Sequence, residues 1–526
     1  MIHLIVPMSG MGKRFVAAGY NKPKPIIQVD KRPIIAHIID MYENYVDKYT
    51  FIINEYHDSE TNIRFILSSL CPAANIISIK PHKDGPVGAI RTAYHIIDDE
   101  DKIIINYCDF AVGWDIDGFI NLVSNPKIDA CIPAYKGFHP HMIGSTNYAF
   151  MRWDKELNLL EIKEKEPFTT NREDEYASSG TYYFAKGALM KQYFDELLVL
   201  DERVNGEFYV SMVNNLLIND GKTVKVFEIE YMLQWGIPED LEDYQSWSNF
   251  FHEGLSSRLS LNNLELENSV TLISMAGEGS RFKKEGYKTP KPFILVNGLP
   301  MYRQALKSLP NAKEIIYVIK KDHEDLLMNS RRCSNSEKIV TLEKTTEGQA
   351  ISCSIGLETV KDRSKKLFVM PSDSYCFIKD DNQKVLQSKD WDILVFSSRA
   401  HRMSQVYPKM FGWVATDDYS NVIECGVKSN PDELQGKIKL VISGFFGFKS
   451  IELFDKLLQE MLKDSRKINS EYYVDTMIVI GLELGLKIKI IPVEKLVSWG
   501  TPNELKTFNY WKGYFKKYQN IISPLS

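Results

Sequence analysis

Apolar positions in this 526-residue chain gather into short runs closed by glycine, asparagine or aspartate, and the runs alternate with stretches of helical spacing. Residues 4–7 are too few for a helix and stop short of Gly10, which predicts a buried parallel strand. Residues 33–42 place apolar side chains at helical spacing, with a proline in the first turn. Residues 49–53 return to strand character, residues 88–97 to helix, and residues 102–106 to a third buried strand leading to Asp109. Strands and helices alternating in this way predict a parallel α/β sheet with right-handed crossovers, whose ligands bind at the carboxyl ends of the strands. Gly10, Gly12 and Asp109 all fall at such ends. From residue 130 the pattern changes. Residues 130–134, 148–153 and 180–184 predict strands of a mixed or antiparallel extension, residues 205–209 open a helical stretch, and residues 234–241 begin a last helix.

The whole order then repeats. Met8-Ser9-Gly10-Met11-Gly12-Lys13-Arg14-Phe15 returns as Met275-Ala276-Gly277-Glu278-Gly279-Ser280-Arg281-Phe282. Arg14 and Arg281 lie 267 positions apart, as do Lys24 and Lys291. Asp109 and Asp373, Gly180 and Gly444, and Trp235 and Trp499 each lie 264 apart, which requires a net loss of three residues between Lys291 and Asp373. Such a register marks duplication of an entire domain, not a short solenoid repeat. The expected division is residues 1–250 and 269–526, with the Ser-, Asn- and Leu-rich residues 251–268 as linker.

Composition narrows the class. With 44% hydrophobic and 25% charged residues, each half can fill its own core. A net charge of −5 with mixed signs excludes a general nucleic-acid binder or a protein held on anionic membranes. The seven cysteines (Cys71, Cys108, Cys131, Cys333, Cys353, Cys376, Cys425) form no C-x-x-C pair, so reduced thiols are expected. Residues 2–6 run into the first glycine loop without a basic leader, and no apolar run reaches the roughly 18 residues of a membrane span. The expected compartment is the cytoplasm.

The repeated loops carry the chemistry. Two glycines after a strand let backbone N–H groups approach phosphate closely. Neither loop is G-x-G-x-x-G or G-x-x-x-x-G-K-[ST], which removes the dinucleotide fingerprint and the P-loop. Arg14, and Lys24 held between two prolines, supply fixed positive charge. Asp109 and Asp373 each follow an apolar strand, where a carboxylate can hold Mg²⁺ against phosphate oxygens; a turn or N-cap aspartate is the alternative. His139 and His141 form an H-x-H in a polar loop and are expected to be incidental. The acidic residues 98–101 are expected to cap or solvate the turn before a strand.

These motifs resemble those of the GT-A-like sugar-phosphate nucleotidyltransferases, or nucleoside-diphosphate-sugar pyrophosphorylases. The resemblance runs through the glycine loop with R-F, the P-K-P elements at Lys24 and Lys291, and the G-x-A segments at residues 85–89 and 348–350. It continues through Asp109 and Asp373, Glu164-Lys165, residues 180–184 and 444–448, and the Trp-Gly-x-Pro ends. It covers nearly the whole chain, twice. It implies two tandem Rossmann-like three-layer α/β domains, each a mainly parallel mixed sheet flanked by helices. It assigns nucleotide binding to Met8, Ser9, Gly10, Met11, Gly12 and Gly88, and to Met275, Ala276, Gly277, Glu278, Gly279 and Gln349. Arg14, Lys24 and Lys165 would be catalytic, with Arg281, Lys291 and Lys428 as their counterparts. Glu164, Gly180 and Gly444 would contact the acceptor, and Asp109 and Asp373 would bind Mg²⁺.

The chain also departs from the family pattern. Relatives often carry a second metal-binding aspartate where this chain has Gln234 and Ser498, and Glu164-Lys165 is matched only by Val427-Lys428. The first half has an altered G-x-A segment, and Asp30 where relatives usually have glycine. The expected reaction joins an NTP to a phosphorylated acceptor, by default a sugar 1-phosphate and alternatively a phosphorylated amino alcohol, and releases pyrophosphate. The expected partners are therefore these small molecules, with no nucleic acid and no membrane, and a homo-oligomer is left open. A GT-A glycosyltransferase is one alternative, although neither aspartate belongs to a D-x-D motif. A nucleotide-binding regulatory or scaffold protein is the other.

Overall fold

The first predicted strand forms as Ile2–Met8, and its Leu4, Ile5 and Val6 are fully buried. In the computed structural model, residues 1–144, 147–262, 264, 266–310, 313–330, 336–388 and 390–525 are described. The chain divides into two units, Met1–Gln245 and Ser246–Ser526.

In the first unit Ile2–Met8 sits between Lys48–Asn54 and Lys102–Asn106, parallel to both, with Asn75–Ile79 beyond. Thr181–Phe184 then pairs antiparallel with Lys102–Asn106 and leads into Ala130–Tyr135, Tyr176–Ser178, Ala149–Trp153 and Leu159–Glu164. The sheet is thus mixed, with parallel pairs around Ile2–Met8 and antiparallel pairs from Thr181–Phe184 outward, except that Val224–Glu228 lies parallel to Ala130–Tyr135. Ile5, Ile103 and Ile105 face helices Gly85–Arg91, Gly187–Leu200 and Val210–Asn219 through Val87, Phe194 and Val213. Alternate strand residues point the other way, toward helix Ile34–Tyr42, whose Tyr42 hydroxyl donates to Asn106 Oδ1 at 2.8 Å. Three layers result.

The second unit repeats this plan around Ser269–Ser274, which is parallel to Ile315–Lys320 and Lys366–Pro371. Leu272, Val318 and Val369 pack on one side with helices Gln349–Leu357, Ile451–Lys463 and Asp475–Glu483. Ile273, Tyr317 and Phe368 pack on the other with Tyr302 and Ala305 of helix Met301–Leu306.

Four expectations change in detail. The helix predicted at residues 88–97 forms as Gly85–Arg91 followed by the 3-10 turn Tyr94–Ile96, because Pro86 suits a first helical turn. Residues 251–262 of the expected linker, read as able to hold a short helix, continue the longer helix Pro238–Asn262. Trp247, Phe250 and Phe251 are buried there, and Phe251 stacks on Phe515 with ring centroids 4.5 Å apart. His139 and His141 are 4% and 7% exposed, packed with Tyr135 and Tyr148, so this loop is interior despite its polar sequence. Asp101 is 3% exposed and bound by Lys48 at 2.8 Å, which makes it a buried anchor instead of a solvated cap. The six described cysteines are free thiols; Cys333 lies outside the described residues. Among the described residues, no helix is long and apolar enough to cross a membrane.

Beside Asp101, His3 is fully buried, with Nε2 2.8 Å from Thr50 Oγ1. Burial lowers its pKa from 6.5 to about 4, with Asp101 opposing the shift and Lys48 adding to it. Between those values the unfolded chain binds a proton that the folded chain does not, so stability falls as pH drops from 6.5 toward 4. Once titration is complete the first unit is expected to be weaker by roughly 3 kcal/mol. Denaturant unfolding at a series of pH values should show this slope, and His3→Gln should flatten it.

Candidate functional site

Both glycine loops turn on one residue. Gly12 (φ 61, ψ 35) and Gly279 (φ 61, ψ 30) are left-handed and stand just before the one-turn helices that carry Arg14 and Arg281. A Cβ added at Gly279 would lie 3.2 Å from Lys291 Cβ, and one at Gly12 would lie 3.9 Å from Lys24 Cβ. Glycine therefore satisfies the turn and lets the lysine stem approach. The prolines that flank each lysine fix where that stem starts: Pro23 and Pro290 precede the 3-10 turns Lys24–Ile26 and Lys291–Phe293.

Lys24 Nζ lies 2.7 Å from Asp109 Oδ2, and Lys291 pairs in the same way with Asp373. Lys24 and Asp109 side chains are 19% and 27% exposed, so the pair sits at a mouth between core and solvent. Burial disfavours the charge on Lys24, but Asp109 and Cys108 outweigh it and hold its pKa above the ordinary lysine value. The late Trp-Gly segment secures the carboxylate from behind: Trp235 N–H donates to the Asp109 carbonyl at 2.8 Å, and Trp499 N–H to that of Asp373 at 2.7 Å.

In the first unit Met8, Ser9, Gly10, Gly12, Lys24 and Asp109 line one cavity. Gly85, from the expected G-x-A segment, lines it as well, together with Tyr107, Glu207 and Tyr209, which were not among the expected site residues. Met11 instead turns to Asn54, whose Nδ2 is 3.4 Å from its sulfur. Gly88 lies inside a helix, where an added Cβ would fall 2.3 Å from Asp84 Cβ; the wall position belongs to Gly85. Gly85 and Gly348 are structural equivalents, since added Cβ atoms would meet backbone of Phe208 at 2.8 Å and of Tyr472 at 2.5 Å. Gln349 follows as the first residue of its helix. Met275 and Ala276 are buried at the end of their strand, followed by Gly277. Glu278 accepts from Thr345, Lys283 and Lys320, which together hold its pKa down at about 2.

Lys165 and Lys428 both have left-handed backbones (φ 62 and 52) and lie over Tyr209 and Tyr473 at 4.2 Å and 5.3 Å from the ring centroids. That shared strain identifies Lys428 as the true counterpart of Lys165. Lys165 Nζ also donates to Tyr209 Oη at 2.6 Å, and Tyr209 donates in turn to Glu207. Burial lowers the pKa of Lys428, against the pull of Asp475. Glu164 accepts from Ser211 Oγ at 2.6 Å, and burial raises its pKa. Gly180 (φ 97) is required by packing: an added Cβ would lie 2.9 Å from Phe110 and 3.2 Å from Tyr107. An added Cβ at Gly444 (φ 84) would meet Pro371 first, at 3.4 Å.

The oxygen atoms beside Asp109 suit a divalent cation. Gln234 Oε1 is buried without a hydrogen-bond partner among the described residues. Glycine at 236 keeps these oxygens uncrowded: an added Cβ would lie 3.1 Å from Asp109 Oδ2 and 3.3 Å from Gln234 Oε1. An added Cβ at Gly500 would likewise lie 3.2 Å from Glu504 Oε2, 3.4 Å from Ser498 Oγ and 3.5 Å from Asp373 Oδ2. Among the described residues no three His, Cys, Asp or Glu side chains group as a metal site, so a cation here needs oxygens from a ligand.

Strand ends carrying a left-handed glycine loop, a fixed lysine and a carboxylate thus recur in two α/β domains. The sequence pattern of the nucleotidyl transferase family matches residues 5–229 and 270–475. The chain belongs to the nucleotidyl transferase family. It is similar to the bifunctional protein GlmU of Methanococcus maripaludis, 26% identical over 278 residues that make up 51% of this chain and 58% of the relative. GlmU of Caldicellulosiruptor saccharolyticus is 25% identical over 43% of this chain and 47% of its own. The chain thus spans about half the length of the curated relatives it matches. Among solved structures, a nucleoside-diphosphate-sugar pyrophosphorylase from Vibrio cholerae aligns with a TM-score of 0.38 at 18% identity, covering 46% of this chain and 99% of that one. An inositol-1-phosphate CTP transferase from T. maritima aligns with a TM-score of 0.36 at 16% identity, covering 45% and 90%.

Proposed function

We propose that each half transfers a nucleotidyl group from an NTP to a phosphorylated small molecule, by default a sugar 1-phosphate, and releases pyrophosphate. The product would be a nucleotide-activated sugar of the kind consumed in surface polysaccharide or glycoconjugate synthesis. The observation that carries this reading is the Lys–Asp pair beside a left-handed glycine, built in the same way in both units. An acceptor phosphate oxygen attacks the α-phosphorus, one P–O bond forms, and the bond to the β-phosphate oxygen breaks. The attacking oxygen is already anionic at neutral pH, so no general base is required. The task is to bring two polyanions together and stabilise the charge of an in-line transition state. The loop N–H groups at residues 8–12 and 275–279 cradle the triphosphate, Arg14, Lys24, Arg281 and Lys291 neutralise it, and Lys165 and Lys428 hold the acceptor phosphate. Asp109 with Gln234, and Asp373 with Ser498 and Glu504, would hold Mg²⁺. When bound, the ion supplies charge neutralisation at the phosphate oxygens.

The test is pyrophosphate release over four NTPs and a panel of sugar phosphates and phosphorylated amino alcohols, for the intact chain, Asp109→Ala and Asp373→Ala. Two activities, each lost in a different variant, are expected. Loss in only one variant assigns the chemistry to that half. NTP binding without pyrophosphate release from any pair would sink the transferase reading in favour of a binding protein.

A further inference from the structure

The acceptor sides of the two units correspond residue by residue. Asn158 Nδ2 donates to Asp154 at 2.7 Å, and Asn421 Nδ2 to Asp417 at 2.8 Å. The strands that follow share a register: Leu159 lies opposite Trp153 as Val422 lies opposite Thr416, and each pair is followed by one irregularity. That register puts Val427 at the place of Glu164, and Gly412 at the place of Ala149. On the facing segment the bridge between Val204 and Glu207 recurs between Ile468 and Glu471, which puts Asp475 at the place of Ser211.

Three positions have therefore changed together. In the first unit the strand bears the carboxylate, Glu164, and the helix bears the hydroxyl, Ser211, 2.6 Å away. In the second the strand position is Val427 and the helix position is the carboxylate Asp475. The residue opposite has shrunk from alanine to glycine, and a Cβ at Gly412 would lie 2.3 Å from Asp475 Oδ2. The missing methyl group is the space Asp475 occupies. Burial disfavours both carboxylates, with Lys165 and Lys428 as the opposing cations. Keeping a half-buried carboxylate that burial disfavours while moving it across the site, with room made for it, points to a retained use.

We propose that Asp475 is the acceptor-binding carboxylate of the second half, holding from the helix side the hydrogen-bond donor that Glu164 holds from the strand side. The two halves then select phosphorylated acceptors of different shape. This rests on the transferase reading. In protein carrying Asp109→Ala, pyrophosphate release reports the second half alone, with glucose 1-phosphate, glycerol 3-phosphate and ethanolamine phosphate as acceptors. Asp475→Asn is expected to raise the acceptor KM about tenfold or more, while the KM for NTP stays within about twofold. Combining Val427→Glu, Asp475→Ser and Gly412→Ala rebuilds the first half's wall and should restore a low acceptor KM, with preference shifted toward the first half's acceptor. An acceptor KM unmoved by Asp475→Asn, equal changes in both KM values, or a fall in melting temperature alone overturns the assignment. Release from the intact chain that vanishes with Asp109→Ala for every pair overturns it too, and leaves the transferase reading standing. No release from the intact chain overturns that reading itself.

Discussion

Lys24→Met is expected to lower kcat/KM for pyrophosphate release by the first half about 10²- to 10³-fold. Lys24 is the cation that the fold brings to Asp109, and Pro23, Pro25 and Gly12 hold its stem at the end of the first strand. Methionine keeps the packing of that stem and removes only the charge. Stability should change little, by about 1 kcal/mol, because both members of the pair reach solvent. Lys291→Met should do the same to the second half and leave the first untouched. Steady-state kinetics of both variants, with melting curves alongside, decide the matter. A normal rate with a lowered melting temperature would make the pair structural.

Gly348→Ala should be the most damaging small substitution in the second unit. Its φ of +124 is hostile to any L side chain, and the added Cβ would lie 2.5 Å from both N and O of Tyr472. Backbone on both sides leaves nothing flexible to yield, so a loss of about 3 kcal/mol in unfolding free energy is expected. The segment that must shift carries Glu471 and Tyr473 past the site, so the second half's activity should fall with it. Gly485→Ala is the control: its φ is also positive, but nothing lies within 4 Å. Denaturant unfolding should separate the two, and equal losses would show that the close approach to Tyr472 is immaterial.

The parts of the site that lie within one turn of a strand end were legible. The glycine loops, Lys24, Lys291, Asp109 and Asp373 are read from local composition because strand, turn and fixed proline are short-range properties. Lys428 was legible only as a weak match. Its surroundings in sequence are poor, yet its left-handed backbone and its place over Tyr473 make it the counterpart of Lys165. Gly88 was the residue picked from the altered G-x-A segment, but which glycine touches Phe208 depends on a segment more than a hundred residues away. Gln234 read as a missing carboxylate; in place, its buried amide oxygen and Asp109 Oδ2 both border Gly236. The loop of histidines 139 and 141 looked polar because burial there is imposed by Tyr135 and Tyr148, not by their neighbours in sequence.

By itself the sequence determined the duplication, the α/β alternation and the charged strand ends, since periodicity and turn chemistry act over a few residues. Tertiary structure alone decided whether the carboxylate near Lys165 or Lys428 stands on the strand or on the helix. Glu164 meets Ser211 across 47 positions, and Asp475 fills the space left at Gly412 across more than sixty. Such contacts depend on strand register and helix docking, and no local pattern encodes them.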